Sequence, residues 1–395
     1  MERKEVNDIV EKYRDEAIGF LTEVLQTPSP SGEELQVSKV LKKYMEKEGF
    51  DVGVYCETEE RPNLIATWTG KEEGPTFLFM GHMDVFPPVE ADPGTYGPWS
   101  GKIVDGNIYG RGSADMKAGL VAGIMAAKLL KRSGYIPKGK IKIACTCDEE
   151  RDSKYGVKYL LPKGLLDADF GVNMEASEEH IIAKSDAIVF AKVTYTAENS
   201  LPVGKNMGKD ALQKALLAIE RMYSYDEMLK KERYHFGEQN YGAILSINVL
   251  HLENDSERKT VSCTFEIDRR YTAGETLESV KAEMQEILDG LRDESSDMEY
   301  ELEITFEDIM MDVDEGCDCI RAAEYALESV FKKNITFLRR CSGGDAGLVS
   351  LNCNFPLPHV GPGRFDQLCI PDEHVSIQEF LDYIKVYMLM VQELL

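Results

Sequence analysis

Acidic residues and one histidine stand where several predicted strands end. They are, in chain order, His82, Asp84, Asp115, Glu149, Glu150 and Glu175. Ligands of an open parallel sheet gather outside the carboxyl ends of its strands, so side chains that are distant in sequence can meet there. Converging carboxylates repel one another and cannot all stay ionised without a counter-charge. A divalent cation supplies that charge, and the pattern therefore predicts a metal site.

The spacing within each motif limits what these residues can do. His82 and Asp84 are two residues apart in an extended segment and face the same side. His82 can then offer one ring nitrogen to a metal while Asp84 holds the other. Glu149 and Glu150 are adjacent and must point differently, so one can bind metal while the other handles protons.

Each motif alone also has a structural interpretation. A histidine at a strand end can simply be packed there, a pair of glutamates is usually solvated, and Asp115 alone could be a helix N-cap. Only their joint occurrence favours a shared site. One histidine with several carboxylates suits zinc, manganese or cobalt. Two cations about 3.5–4 Å apart, bridged by one aspartate, would use this many acids and form a hydrolytic centre.

The elements that must position these residues follow an α/β pattern. The predicted strands are 63–69, 76–81, 140–150 and 170–177, and the predicted helices are 5–27, 33–49, 116–133, 316–331 and 376–394. Strands that alternate with helices predict a mainly parallel sheet with helices on both faces.

The middle of the chain has a different order. It predicts strand, helix, strand, strand, helix and strand at 188–195, 208–223, 242–251, 260–269, 276–292 and 299–306. This βαββαβ order indicates an inserted two-layer α+β domain. The expected division is one α/β domain made of residues 1–183 and 307–395, interrupted by the insertion at 184–306.

Composition excludes several classes of partner. The net charge of −25 argues against nucleic acid and anionic membranes, which both require a basic face. No apolar run is long enough to span a bilayer. The charged stretch MERKEVNDIVEKYRDE lacks the apolar core of a signal peptide, so we expect a cytoplasmic protein.

Several motifs, in this order, resemble those of a known family. They are GHMDV, YGRGSADMKAG, DEE, an acid after the next strand, FEIDRRYTAGET, SGGDAG and VGPGRFDQLCIPDEHVSI. The chain is similar over most of its length to the zinc metallopeptidases of family 20, which include aminoacylase, acetylornithine deacetylase, succinyl-diaminopimelate desuccinylase and glutamate carboxypeptidase. The resemblance implies a zinc-peptidase-like catalytic domain, an inserted lid domain and two divalent metal ions, zinc in the first place with cobalt or manganese as alternatives.

The resemblance also implies a role for each acid. It makes His82 and Glu175 ligands of one zinc ion, Glu150 a ligand of the second, and Asp115 the bridge between them. Glu149 becomes the general base, which takes a proton from the attacking water and passes it to the leaving amine. Asp84 becomes the residue that orients His82.

Substrate contacts follow from the same resemblance. In such enzymes an arginine of the lid commonly holds the substrate carboxylate, and Arg269 and Arg270 are the arginines of that motif. Which of them faces the cleft is left open, and either could be structural. Gly343 and Gly344 fit a loop that lies close to the substrate.

Two positions depart from the family pattern. The last zinc ligand of the family is a histidine, and Cys369 stands at that position; a thiolate is a legitimate zinc ligand but adds a negative charge. His359 could line the cleft instead, whereas His374 would require a shift of five residues. The lid histidine of the family is replaced by Glu198, four residues before Pro202.

Two functional hypotheses follow. The first is a metallohydrolase that cleaves an amide bond of a small carboxylate-bearing substrate, a dipeptide or an N-acyl amino acid. The second is a catalytically impaired or inactive relative that binds metal or a small ligand, which Cys369 and Glu198 favour. An ionised Glu198 would oppose an oxyanion, and losing one oxyanion donor costs about 10²–10³ in rate, although another histidine such as His235 could compensate. The resemblance further suggests a homodimer formed through the lid domain.

Overall fold

The computed structural model of the chain consists of two compact units. The larger unit comprises Met1–Lys184, Met311–Arg340 and Gly344–Leu395, and the smaller unit comprises Ser185–Met310 and Cys341–Gly343. The structure describes residues 3–89, 94–198, 210–232, 245–255, 257, 260–272, 274–294, 298–340 and 342–395. The larger unit is therefore built from segments on both sides of the smaller one in the sequence.

The regular elements are numbered in chain order within the described residues. The α-helices are α1 (Arg3–Lys12), α2 (Arg14–Leu25), α3 (Leu35–Lys47), α4 (Lys117–Arg132), α5 (Val157–Leu160), α6 (Ala211–Glu232), α7 (Leu277–Glu294), α8 (Asp318–Phe331), α9 (Gly344–Cys353) and α10 (Ile377–Leu394). The strands are β1 (Asp51–Cys56), β2 (Pro62–Thr69), β3 (Glu72–His82), β4 (Lys102–Val104), β5 (Asn107–Tyr109), β6 (Lys138–Thr146), β7 (Phe170–Asn173), β8 (Ile181–Ser185), β9 (Ala187–Glu198), β10 (Leu245–Asp255), β11 (Thr260–Tyr271), β12 (Tyr300–Glu307), β13 (Phe337–Arg340) and β14 (His374–Ser376). Short 3-10 helices lie at Leu161–Lys163 and Phe365–Gln367.

The main sheet of the larger unit has the strand order β1-β2-β6-β3-β7. Strand β3 runs parallel to β6 and β7, but β1 pairs with β2, and β2 with β6, in antiparallel fashion. The expected mainly parallel sheet is therefore wrong for this sheet, which is mixed. In the sequence, β1 is joined to β2 by residues 57–61, and β2 is joined to β3 by residues 70–71. Links of this length reverse the chain direction, because a parallel crossover needs a dozen or more residues.

Strand β3 carries the candidate site at its carboxyl end. Its last six residues, 77–82, are all buried, which fits a central strand covered on both faces. Helix α4 packs against β3 and β6. Gly119 also lets α4 approach the residue after β7, because a Cβ added there would lie 1.9 Å from the carbonyl oxygen of Met174. The amino end of α4 is thereby held beside the ends of β3 and β7.

A small sheet joins the two distant parts of the larger unit. Its strand order is β14-β5-β4, with antiparallel pairing throughout. Next to it, the backbone N–H of Gly110 donates to the carbonyl oxygen of Glu373 at 2.9 Å. This pairing brings the segment around Glu373 beside the loop that contains Asp115.

The smaller unit contains a four-stranded antiparallel sheet of order β10-β11-β9-β12. In sequence its elements run β9, α6, β10, β11, α7 and β12. Alternate residues of β9, from Ala187 to Tyr195, are buried in the core of this unit together with residues of α6 and α7. The period of two shows that one face of the sheet is covered by the two helices.

Within the part of the chain that the structure describes, none of the helices combines the length and the apolar character needed to cross a bilayer.

Candidate metal centre

His82 is the last residue of β3, and its ring is 1% exposed. Its Nε2 lies 3.3 Å from Asp115 Oδ1 and 3.3 Å from Glu175 Oε1. In the described structure this nitrogen is buried and has no hydrogen-bond partner. Because buried polar atoms normally have partners, a ring nitrogen placed among carboxylates without a hydrogen bond has the surroundings of a metal ligand.

The other ring nitrogen of His82, Nδ1, contacts the backbone of Asp84 and not its side chain. Nδ1 lies 3.0 Å from the backbone oxygen of Asp84 but 3.6 Å from its carboxylate Oδ1. Strand β3 ends at His82, so the chain no longer continues the alternation that would align the Asp84 side chain with the ring. Asp84 therefore contacts the second ring nitrogen of His82, but through its backbone oxygen and not through its carboxylate, and its role in orienting His82 stays a prediction.

The Asp84 carboxylate instead positions the two glutamates after β6. It accepts hydrogen bonds from the backbone N–H groups of Glu149 and Glu150, each at 3.2 Å. It also accepts a hydrogen bond from Ser31 Oγ at 2.6 Å. Asp84 thus connects the end of β3 to the turn after β6.

Two groups of metal-capable side chains overlap at Asp115. The first group is His82, Asp115 and Glu175, and the second is Asp115, Glu150 and Cys369. In each group the ligand atoms lie within 4.8 Å of one another. The Cys369 Sγ is 4.0 Å from Asp115 Oδ2. Imidazole, carboxylate and thiolate are all donors for divalent transition-metal ions, so these residues fit two ions that share Asp115.

The side chains alone leave the charge of the centre unbalanced. Burial raises the pKa of Glu149 and that of Glu150, and the neighbouring acids raise both further. Burial opposes the charging of His82, but Glu149 and the other nearby acids raise its pKa well above the usual value. Each direction follows from negative charge confined in a space with little water.

Glu149 lies beside both groups without belonging to either of them. Its Oε2 is 3.8 Å from His82 Nε2. On its other side, a Cβ added at Gly344 would come within 2.5 Å of Glu149 Oε1. Gly344 has φ +52°, a conformation that also favours glycine. The glycine therefore leaves room for the Glu149 carboxylate at the edge of the centre.

Sequence reasoning missed the residue that holds Asp115 in place. Glu373 accepts hydrogen bonds from the backbone N–H groups of Ala114 and Asp115, at 2.8 and 3.1 Å. It also pairs with Arg111 at 2.9 Å, and both side chains are buried. Burial raises the pKa of Glu373 to about 7. The motif PDE pointed to this segment of the sequence but not to this contact.

A second missed group lies under the turn before Glu149. Arg61 Nε donates to Glu34 Oε2 at 2.8 Å, and its Nη2 also contacts Asp148. Asp148 has φ +69° and accepts a hydrogen bond from the N–H of Tyr155 at 3.1 Å. This buried network fixes the turn whose next two residues are Glu149 and Glu150.

Arg340, at the end of β13, is a third missed residue. Its Nη1 donates to Glu175 Oε2 at 2.7 Å and lies 3.5 Å from His359 Nδ1. Burial alone would raise the pKa of Glu175, but Arg340 and His82 outweigh it and hold that pKa well below its usual range. The sequence FLRR, which resembles an exposed basic strand, gave no signal of this contact.

The other expected substrate residues lie in different surroundings. Arg269 is fully buried and pairs with Glu275 at 2.6 Å, while Arg270 pairs with Asp268 at 2.8 Å. Gly343 donates its N–H to Asp308 Oδ2 at 3.0 Å. These contacts lie within the smaller unit, and the expected contacts of these residues with a substrate stay predictions.

The alternatives to Cys369 are separate from the second group. His359 is buried next to Arg340, and the ring of His374 packs on that of Tyr109, 4.7 Å between centroids. Within the described residues, neither histidine belongs to a group of three metal-capable side chains. The side chain of Glu198 and the whole of His235 lie outside the described residues.

A family model describes most of this chain. The model for peptidase family M20/M25/M40 matches residues 78–393. Among curated proteins, a probable succinyl-diaminopimelate desuccinylase of Staphylococcus aureus is 29% identical over 226 residues, which are 56% of this chain and 54% of that protein. The chain thus spans about half the length of the curated relatives it matches.

Solved structures resemble the whole chain. Human carnosine dipeptidase 1 has a TM-score of 0.78 at 16% identity, with 99% of this chain and 98% of that chain covered. A Bacillus subtilis protein described as a dinuclear metal-binding peptidase of the M20 family has a TM-score of 0.67 at 15% identity, with 97% and 99% covered. At these identities the likeness concerns the fold.

Proposed function

Because this chain belongs to peptidase family M20/M25/M40, we propose that it is a metal-dependent hydrolase that cleaves an amide bond of a small substrate with a free carboxylate. A dipeptide or an N-acyl amino acid has this chemistry. The observation that carries the proposal is the pair of ligand groups that share Asp115, with all ligand atoms of a group within 4.8 Å.

Two divalent ions would be held by the residues already described. His82, Asp115 and Glu175 would hold the first, and Asp115, Glu150 and Cys369 the second. Zinc accepts all three donor types, so we propose zinc, with cobalt and manganese as alternatives. When bound, the ions would lower the pKa of a water molecule and polarise the scissile carbonyl.

The chain's own residues would handle the proton. Glu149 lies outside both ligand groups and is partly buried, and this burial raises its pKa. A carboxylate of raised pKa can take a proton from the attacking water and give it to the leaving amine. Asp84, through the N–H groups of Glu149 and Glu150, would keep these two carboxylates in different directions.

A second candidate function is a non-catalytic protein that binds metal or a small ligand. Cys369 stands where the family has a histidine, and Glu198 stands where the lid histidine is expected. A thiolate adds negative charge to the second ion and weakens it as a Lewis acid. This reading predicts metal binding without turnover.

The decisive experiment combines a metal count with a substrate panel. Metal per chain is measured by elemental analysis, and dipeptides, N-acetyl amino acids and N-succinyl-diaminopimelate are tested with added zinc, cobalt or manganese. We expect two ions per chain and hydrolysis of at least one substrate. In Glu149→Gln, kcat should fall about 10²- to 10⁴-fold, because the general base is lost while the ligands remain.

The exposed Glu33→Gln serves as the matched control and should behave like the wild type. Metal binding without hydrolysis of any substrate would instead support the binding protein. Undiminished turnover in Glu149→Gln would remove Glu149 from the role of base.

A further inference from the structure

Arg340 is a partly exposed cation that contacts one of the candidate metal ligands. Glu175 Oε1 faces His82 Nε2 at 3.3 Å, and the other oxygen of the same carboxylate accepts from Arg340 Nη1 at 2.7 Å. The guanidinium is therefore one carboxylate away from the first ligand group. Its side chain is 18% exposed, so a small solute can reach it.

The Arg340 guanidinium has N–H donors that its contacts with Glu175 and His359 do not use. Arginine carries five N–H donors in a planar fork. Among the described residues, its polar contacts are all made by Nη1, to Glu175 and to His359. Nε and Nη2 are therefore available to an incoming acceptor. A planar pair of N–H donors matches the two oxygens of a carboxylate.

The two arginines expected to bind substrate are already paired with acids of their own unit. Arg269 is 0% exposed and is held by Glu275, and Arg270 is held by Asp268. Arg340 differs because its acid, Glu175, is itself a candidate metal ligand. Arg340 and the ligand groups also belong to the same unit, so their separation is fixed within that unit.

We infer that Arg340 binds the free carboxylate of the substrate and so determines the preference for acids over their amides. This inference rests on the proposed function. A carboxylate held by Arg340 would place the neighbouring amide carbonyl next to the side of the centre formed by His82 and Glu175. The substrate class is then an N-acyl amino acid or dipeptide whose free carboxylate is close to the scissile bond.

The test compares each panel substrate with its own carboxamide. The wild type should prefer the free acid. In Arg340→Gln, kcat/KM for the acid should fall about 10- to 100-fold, mainly through KM, because a charged hydrogen-bonded pair is lost. The kcat/KM for the carboxamide should change less than about threefold. Arg340→Lys, which keeps the charge, should restore part of the preference for the free acid over the carboxamide.

Three further measurements separate substrate binding from a structural role. Metal content should stay at the wild-type value in Arg340→Gln, and the neighbouring Arg339→Gln should leave the acid-to-amide preference unchanged. Equal losses for acid and carboxamide, or a lower metal content, would show that Arg340 only supports Glu175 and would overturn the inference. The inference would also be overturned if Arg270→Gln lost the preference for the free acid while Arg340→Gln kept it.

Failure of the proposed function can be distinguished from failure of this inference. If the wild type hydrolyses substrates but Arg340→Gln keeps the preference, only the inference fails. If the wild type hydrolyses nothing, the proposed function fails, and calorimetric binding of N-acetyl-L-leucine and its amide then decides on Arg340. Equal binding of the acid by wild type and Arg340→Gln would overturn the inference in that case too.

Discussion

Cys369 stands at the position where the motif resemblance led us to expect a histidine ligand. It has φ +58°, a left-handed conformation that is uncommon outside glycine and is found at functional sites. Burial raises the pKa of its thiol, and Glu150 and Asp115 raise it further. The thiolate is thus stable only with a cation beside it, so metal binding and deprotonation of Cys369 are coupled.

Replacing Cys369 tests this coupling. Cobalt-loaded wild type should show a thiolate-to-cobalt charge-transfer absorption band, and Cys369→Ala should lose both the band and one of the two ions. Cys369→His should regain the ion and show higher kcat, because a neutral imidazole leaves the ion a stronger Lewis acid. Histidine also tolerates the left-handed conformation better than most residues.

The exposed Cys56→Ala provides the control, and its cobalt spectrum should equal that of the wild type. A band that persists in Cys369→Ala would show that the thiolate ligand is another cysteine. An unchanged metal count would remove Cys369 from the centre.

Part of the centre could be foreseen from single residues. The structure brings together His82, Asp115, Glu150, Glu175 and Cys369, as motif order led us to expect, and their roles as ligands stay a prediction. The contacts of Arg340 and Glu373 could not be foreseen, because each depends on one long-range pairing. Glu373 and Asp115, for example, are 258 residues apart.

At the scale of elements, the Asp115 loop depends on the pairing of β5 with β14. That pairing sets Glu373 beside the N–H groups of Ala114 and Asp115, and Arg111 neutralises it. Sequence patterns predicted the strands that end in ligands, because those strands are continuous apolar runs. They did not predict the half-exposed β1, and they did not reveal that the predicted strand β2 runs antiparallel to β6.

Variants of Glu373 should therefore disturb the metal centre without touching a ligand. Glu373→Ala should lower the free energy of unfolding by about 3–5 kcal/mol, because it leaves Arg111 buried and unpaired. Glu373→Gln keeps an acceptor for the two N–H groups and should lower the free energy of unfolding by less than Glu373→Ala does. Denaturant unfolding measures the first effect, and metal retained after dialysis measures the displacement of Asp115.

Asp366→Asn, at an exposed carboxylate of the same segment, should leave both quantities unchanged. Wild-type stability and metal retention in Glu373→Ala would mean that Asp115 is held by the rest of its loop and not by Glu373.

At the scale of the whole molecule, the family expected from the motifs is confirmed by the match over residues 78–393. Solved structures described as M20 family proteins have a fold that covers nearly the whole chain, both units included. Strand β10, however, lies at the edge of the sheet of the smaller unit. It exposes Val249, Leu250 and Leu252, each by 45% or more of its surface.

An exposed apolar edge strand is a template for pairing with another chain unless something covers it. We propose that a second copy of this chain covers β10, with the two strands related by a two-fold axis. Such an interface is self-complementary, because the same residues meet from both sides. Light scattering after size-exclusion chromatography should give the mass of a dimer for the wild type.

Leu252→Lys should convert that dimer to a monomer, since two lysines would meet near the axis in place of two leucines. Leu351→Lys is the matched control, because Leu351 is equally apolar and 66% exposed but lies on α9 of the larger unit. A monomeric wild type, or a dimer that survives Leu252→Lys and dissociates in Leu351→Lys, would exclude β10 as the interface. Because the candidate ligands all belong to the larger unit, the monomeric variant should retain its full metal content, which separates loss of assembly from loss of the centre.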